Sequence, residues 1–298
     1  MLSVGIINGY FPYSLDEQIR RIKEAGFSCV QLELIFKDLD TSMGSLSKAT
    51  CQKIRNAFRD ANIPIVAISA YNNIIQSNLA KRRDNIAALK TIIGFARDLG
   101  TTYVVSESGT YNASSDWIPD PKNDSEEGYE EALTVIKDIV NYSYNCGVTF
   151  VLENYVNHII GSVEQVLRLF ADVNHKSLGL LMDPCNYFTG STIDHVDNHL
   201  NKMFDSLGER ILFAHAKDCK RAKETSEKVG KDEAHSFLGA GDVELPAPGH
   251  GVLNYDLYLK RLHKVCPNMP VIIEHLQTES DIARAKKFVD GKLREAGC

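Results

Sequence analysis

Short apolar runs alternate with amphipathic segments along the whole chain. The runs cover residues 2–8, 29–34, 64–70, 101–107, 148–154, 178–184, 210–217 and 270–275. Each is short, rich in Val, Ile and Leu, and bounded by turn residues or charge, which predicts buried strands. Between them the apolar positions recur at helical spacing. Ile19 and Ile22 mark the first helix, and Cys51, Ile54, Phe58 and Ala61 the second. Ile86, Leu89, Ile93 and Ala96 mark a long third helix, with Gly100 as its C-cap. Leu133, Ile136 and Val140 follow, then Val163, Val166, Leu167 and Phe170 at i, i+3, i+4 and i+7. Val196, Leu200, Met203, Phe204 and Leu207 form the next stripe; Tyr255, Tyr258, Leu262 and Val265 another; Ile282, Val289 and Leu293 the last. Ser14 with Glu17, and Ser162 with Gln165, have the spacing of capping boxes at helix starts. Pro64 opens its strand, where a missing N–H costs least.

Strict strand–helix alternation implies a parallel sheet covered by helices. Eight such units in 298 residues predict an α/β fold: a single (β/α)₈ barrel over residues 1–298, favoured over an open doubly wound sheet. This length also admits two domains, but no linker-like change of composition divides the chain. A net charge of −6 without a basic block argues against nucleic acid as the partner. No apolar run approaches the ~20 residues of a membrane helix. The N-terminal residues lack the pattern of a signal peptide. Seven cysteines stand singly, with no Cys-x-x-Cys spacing, which reads as reduced thiols and a cytoplasmic setting.

In a barrel of this kind the chemistry collects at the C-terminal ends of the strands. Those ends carry Asn8, Glu33, Glu107, Glu153, Asp183, His215 and Glu274. Glu153, Asp183, His215 and Glu274 come from four consecutive strands. Three carboxylates on one rim repel unless a cation or protons offset them, so one divalent metal ion is the expected occupant. The bland alternative pairs Glu153 and Glu274 with rim lysines. An oxygen-rich set with one imidazole suits Mn²⁺ first, then Co²⁺, Mg²⁺ or Zn²⁺. His215 reads as a ligand rather than a base, since it occupies the same strand-end position as the carboxylates.

The strand ends Val-Leu-Glu-Asn, Leu-Met-Asp-Pro, His-Ala-Lys-Asp and Ile-Ile-Glu-His resemble the xylose isomerase-like TIM-barrel superfamily of sugar phosphate isomerases and epimerases. The resemblance spans essentially the whole chain and is greatest to the D-tagatose/D-psicose 3-epimerase type. It implies a single divalent ion held by Glu153, Asp183, His215 and Glu274, with Glu153 and Glu274 doubling as the acid/base pair. It also implies a substrate contact from Arg221, six residues after His215. Two positions depart from that type: Asn186 stands where a His is usual, and Ile159 where a second Glu is usual. The expected activity is therefore a metal-dependent isomerase or epimerase of a keto-sugar, polyol or sugar phosphate through an enediolate. A lyase or dehydratase on a 3-keto-glycoside or inosose is the runner-up. An endonuclease IV-type enzyme would need further His ligands and a basic groove.

Other residues are assigned smaller parts. Glu33, Glu107, Trp117 and Lys217 are candidate substrate contacts, and Tyr10 and Phe11 with Trp117 could wall a sugar. Lys217 and Asp218 are expected to pair with each other or with a ligand carboxylate. Lys217, Lys220, Arg221 and Lys223 lie where barrels often bind phosphate. Residues 218–253 form the longest insertion, and His250 and Lys231 in it could serve a lid or a subunit contact. Gly239-Ala240-Gly241 has glycines but lacks the strand–helix context of a phosphate loop. His275 is expected to point out of the barrel by strand alternation. The partner expected is a small carbohydrate, not nucleic acid or a membrane, with a homo-oligomer left open.

Overall fold

A computed structural model describes residues 1–222, 243–276 and 278–298; Lys223, Lys231 and the Gly239–Gly241 run lie outside the described residues. Eight strands pair in parallel and close on themselves: β1 (Ser3–Ile7), β2 (Cys29–Leu32), β3 (Ile65–Ser69), β4 (Tyr103–Glu107), β5 (Thr149–Glu153), β6 (Leu178–Met182), β7 (Ile211–Ala216) and β8 (Pro270–Ile273). Each pairs with its neighbours in sequence, and β8 closes the ring onto β1 with Ile6 opposite Ile273. The crossover helices are α1 (Leu15–Glu24), α2 (Lys48–Asp60), α3 (Leu79–Phe95), α4 (Glu126–Asn145), α5 (Val163–Val173), α6 (Val196–Leu207), α7 (Tyr255–Val265) and α8 (Glu279–Ala296). The chain is thus a (β/α)₈ barrel, as the alternation predicts.

The strand pleat explains where the chemistry goes. Ile7, Cys29, Ala67, Val105, Val151, Leu181, Phe213 and Ile272, one from each strand, form a separate apolar cluster that fills the barrel. Side chains two residues apart in a strand share a face. One step above that plug therefore come Gln31, Ser69, Glu107, Glu153, Asp183, His215 and Glu274. A dry apolar floor and a polar ring on top of it are one consequence of a single period. Asn8 departs from this set. Its amide binds Gln18 Oε1 at 2.9 Å and the Glu33 backbone on both sides, so it joins the ends of β1 and β2 instead of facing the mouth.

Three local expectations change. Ser14 precedes α1 without a side-chain cap, because Glu17 is held by Arg20 and Arg21 instead of reaching back to it. The Ser162–Gln165 box forms in full at the start of α5. On α5, however, the buried face is Val163, Val166, Leu169 and Phe170, while Leu167 is 42% exposed. Leu167 and Leu169 flank the Val163–Val166–Phe170 stripe on opposite sides, and it is Leu169 that is buried. His275 takes φ +58°, which ends strand alternation. Its ring stays beside the mouth, 4.0 Å from Glu274 Oε1, instead of turning outward.

The long insertion after β7 is clamped at both ends. Lys220–Arg221 pairs antiparallel with Val243–Glu244. Asp218, buried, accepts the backbone N–H groups of Cys219 at 2.9 Å and of Gly249 and Leu253 at 3.0 Å. It pairs with neither Lys217 nor a rim carboxylate, since both its oxygens are occupied in drawing the return segment onto β7. Removing its carboxylate strands buried donors, each worth about 1–3 kcal/mol. Asp218→Ala is expected to lose about 3 kcal/mol in urea unfolding, and Asp218→Asn, which keeps one acceptor oxygen, clearly less. Equal stability of the alanine variant and the wild type would show that the clamp contributes nothing.

Candidate functional site

Glu153 and Asp183 stand where β5 and β6 end, His215 lies in β7, and Glu274 follows β8. All four are buried, and one ligand-type atom from each lies within 4.8 Å of the others. His215 Nδ1 is 3.3 Å from Glu153 Oε1, 3.2 Å from Glu274 Oε2 and 3.8 Å from Asp183 Oδ2. Asp183 caps the short turn that follows it, its Oδ1 accepting the Cys185 N–H at 3.0 Å. That bond turns Oδ2 inward. Lys217, two residues beyond His215 and almost fully buried, brings its ammonium 2.7 Å from Asp183 Oδ2 and 2.8 Å from Glu274 Oε1. It donates a hydrogen bond to Asn186 Oδ1 at 2.7 Å.

A second set of side chains surrounds these. Asn186 donates from Nδ2 to Glu153 Oε1 at 2.9 Å, and the Tyr71 hydroxyl donates to Glu153 Oε2 at 2.5 Å. Gln31 Oε1 accepts from His215 Nε2 at 2.8 Å. Gln31 Nε2 donates to Ser69 Oγ at 2.9 Å and to the Tyr71 oxygen at 3.3 Å.

Electrostatics are those of a crowded acidic site held by two cations. Burial and the neighbouring carboxylates raise the Asp183 carboxyl to about 7, despite Lys217 beside it. Burial alone would neutralise His215 and Lys217, but Glu274, Glu153 and Asp183 push both far above their ordinary values. Burial likewise opposes ionisation of Glu153 and Glu274, yet His215 and Lys217 hold both below the usual carboxylate range. The His215 ring and the Lys217 ammonium thus stand at the centre of the acidic cluster.

These residues fit a divalent cation. Asp183 Oδ2, His215 Nδ1 and Glu274 Oε1 are buried and lack a well-aligned hydrogen-bond partner, and all three belong to the cluster. For the two carboxylate oxygens the near neighbour is the Lys217 ammonium, at 2.7 and 2.8 Å. The three atoms converging on one point, hard oxygen donors and one imidazole, form the donor set of a Mn²⁺-, Mg²⁺- or Zn²⁺-type site. The Nε2 hydrogen bond to Gln31 leaves Nδ1 as the ring nitrogen that faces the carboxylates.

The remaining sequence candidates are distributed around the mouth. Glu107 lies opposite Glu153 in the β4–β5 pairing. Burial and the charge of Glu153 push its carboxyl well up. Glu33 is raised by burial and by Glu274. Trp117 is 49% exposed in the β4–α4 loop. It stands edge-on to Tyr155 at 5.6 Å and stacks on His158 at 6.1 Å. Tyr155 feels both Glu107 and Lys217, so this aromatic group reaches the mouth. Arg221 lies apart from the cluster: its guanidinium is exposed and bound by the Gly190 carbonyl at 2.8 Å and Asp194 at 2.7 Å. Ile159 is buried in the apolar core. Gln31 and Tyr71 are absent from the sequence reading. A glutamine inside the wholly buried run Cys-Val-Gln-Leu was the available signal for the first; nothing local marks the second.

The profile of the xylose isomerase-like TIM barrel family matches residues 19–291. A barrel of that type from Mycobacterium smegmatis, solved in complex with magnesium, aligns with TM-score 0.69 and 16% identity, covering 100% of this chain and 98% of its own. A D-tagatose 3-epimerase-like protein aligns with TM-score 0.70 and 18% identity over 99% and 98% of the two chains. A probable 3-DHS dehydratase from Bacillus anthracis aligns with TM-score 0.70 and 16% identity over 100% and 99%. At such identities the likeness is one of fold. The chain matches no curated protein sequence.

A cation that binds only the folded chain stabilises it by mass action, about 2.7 kcal/mol at a hundredfold excess over its dissociation constant. Added Mn²⁺ is expected to raise the melting temperature of the metal-stripped protein, and Asp183→Ala to abolish that rise. The absence of any shift with Mn²⁺, Co²⁺, Mg²⁺ or Zn²⁺ would count against a metal at this cluster.

Proposed function

The chain belongs to the xylose isomerase-like TIM barrel family, and we propose that it is a divalent-metal-dependent isomerase or epimerase of a keto-sugar or related polyol, working through an enediolate. The observation that carries this reading is the convergence of Glu153, Asp183, His215 and Glu274 on one buried point, with one ligand-type atom from each within 4.8 Å of the others. When bound there, a cation, with Mn²⁺ the first choice, would polarise a sugar carbonyl and the adjacent hydroxyl and stabilise negative charge on them.

The protein's own groups supply the rest. Taking a proton from the carbon next to a carbonyl requires a base, and epimerisation requires an acid on the opposite face. Glu153 and Glu274 enter from strands three apart and serve as that pair. They are not equivalent. Both oxygens of Glu153 accept hydrogen bonds from neutral donors, Asn186 and Tyr71. Glu274 Oε1 instead has the Lys217 ammonium beside it at 2.8 Å and the His275 ring at 4.0 Å, and it is held as a carboxylate more strongly than Glu153. Lys217, once a substrate enters, can turn a proton toward a sugar oxygen. Glu33 and Glu107 offer acceptors to sugar hydroxyls, and Trp117 with Tyr155 offers an aromatic face to C–H surface. In this reading Arg221 reaches a substrate only by leaving Asp194. Seven free thiols suit a cytoplasmic enzyme.

A lyase or dehydratase is the second reading, favoured by Asn186 and Ile159 standing where the epimerase type has His and Glu. The same enolate would then expel a β-substituent instead of regaining a proton. Incubating candidate keto-sugars and 3-keto-glycosides in D₂O with Mn²⁺ separates the two. Deuterium at the α-carbon without loss of a fragment supports the first reading; an elimination product supports the second. No exchange with any of them removes both. Glu274→Gln and Glu153→Gln are each expected to slow exchange about 10²–10⁴-fold. Full turnover in either variant excludes that residue from the pair.

A further inference from the structure

Gln31 carries no ligand atom, yet it is completely buried in the polar layer of the barrel, on the strand two places round from β8. A primary amide has one accepting end and one donating end, and each end of Gln31 has a different task. Its oxygen meets His215 Nε2 at 2.8 Å, and its nitrogen meets Ser69 Oγ at 2.9 Å and the Tyr71 oxygen at 3.3 Å. With the oxygen toward the imidazole, Nε2 must carry a proton. The neutral ring then has its lone pair on Nδ1, the atom that faces Glu153, Asp183 and Glu274.

The same amide directs Tyr71. Since Gln31 donates to the phenolic oxygen, the phenol's own hydrogen is free to go to Glu153 Oε2 at 2.5 Å. On the other side of Glu153 the orientation of Asn186 is forced. Lys217 has donors only, so Asn186 Oδ1 must face it and Nδ2 must face Glu153 Oε1. Glu153 is therefore gripped from two sides, and its rotation about the carboxyl axis is fixed. One continuous chain of donors and acceptors runs from His215 through Gln31 and Tyr71 to Glu153, then through Asn186 to Lys217.

We propose that Gln31 and Tyr71 are positioning residues for the cation site: Gln31 fixes the His215 ring with Nδ1 toward the cation, and Tyr71 fixes the Glu153 carboxylate so that Oε1 faces the same point. The inference rests on the metal reading above and adds to it where the affinity of the site originates. Partners of this kind hold a ligand in register before the ion arrives, so their removal weakens binding without removing a ligand; losses of 10–100-fold are typical. An imidazole freed from Gln31 can rotate or adopt the other tautomer, with a proton on Nδ1 in the place of the ion.

Titration of metal-stripped wild-type protein with Mn²⁺ by calorimetry, alongside Gln31→Leu, Gln31→Glu and Tyr71→Phe, tests this. Gln31→Leu is expected to weaken Mn²⁺ about 10–100-fold, and Tyr71→Phe, which removes only the hydroxyl, about tenfold. Gln31→Glu keeps an acceptor for Nε2–H but loses the donor to Tyr71, and is expected to fall between Gln31→Leu and wild type. Visible absorption of the Co²⁺-loaded forms should shift in the Leu and Phe variants, because ligand geometry changes. Melting of each metal-free variant separates misfolding from a loss of binding, and Tyr71→Phe decides the matter if Gln31→Leu does not fold. Wild-type Mn²⁺ affinity in the Leu and Phe variants overturns this inference and leaves the metal reading standing. A wild-type chain that takes up no divalent ion overturns both.

Discussion

Three carboxylates buried at one end of a closed barrel set the terms for everything near them. Glu153, Asp183 and Glu274 cannot all ionise in a dry site without positive charge among them, because desolvation and mutual repulsion both oppose it. Lys217 and His215 supply that charge from the same strand end, at 2.7–3.8 Å. The apolar plug of one residue per strand beneath them keeps water from screening these interactions. The plug and the charged ring depend on each other: without the plug the ring would be a hydrated rim, and without the paired charges the ring would not tolerate burial.

Around the charged centre, neutral amides and a phenol decide orientation. Gln31, Tyr71 and Asn186 add no charge, but each has its donor and acceptor ends assigned by its neighbours. Asn186 marks a departure from the epimerase type, and here it is built into the network, joining Lys217 to Glu153. That placement makes the two glutamates unequal, since Glu153 accepts from the neutral donors Asn186 and Tyr71 and Glu274 lies against Lys217 and His215. The inequality bears on the chemistry, because neighbouring cations lower the basicity of a carboxylate more than neutral donors do.

Farther out, the loops give the mouth its shape. Asp218 turns its carboxylate away from the charged ring and gathers backbone donors from the returning insertion, so two adjacent residues, Lys217 and Asp218, serve opposite purposes. Trp117, Tyr155 and His158 pack together on the side of β4 and β5. The mouth therefore has an aromatic side and an acidic side.

Periodicity along the chain determined the barrel. Eight short apolar runs separated by 3.6-period stripes admit few other arrangements, and parallel strands bring their C-terminal ends together whatever the loops do. Glu153, Asp183, His215 and Glu274 were legible for that reason, since each stands at a strand end where packing has no use for it. Details that depend on how the elements pack were not legible, such as Leu169 rather than Leu167 facing inward, or Glu17 taken by arginines instead of capping α1. The positioning groups depended still more on closure. Gln31 meets His215 across 184 residues of sequence, and Tyr71 meets Glu153 across 82. No local pattern encodes such contacts, because hydrogen-bond partners inside a barrel are chosen by which strands face each other across its axis. The sequence by itself determined which residues carry charge to the rim; only the closed structure decided which way each of them points.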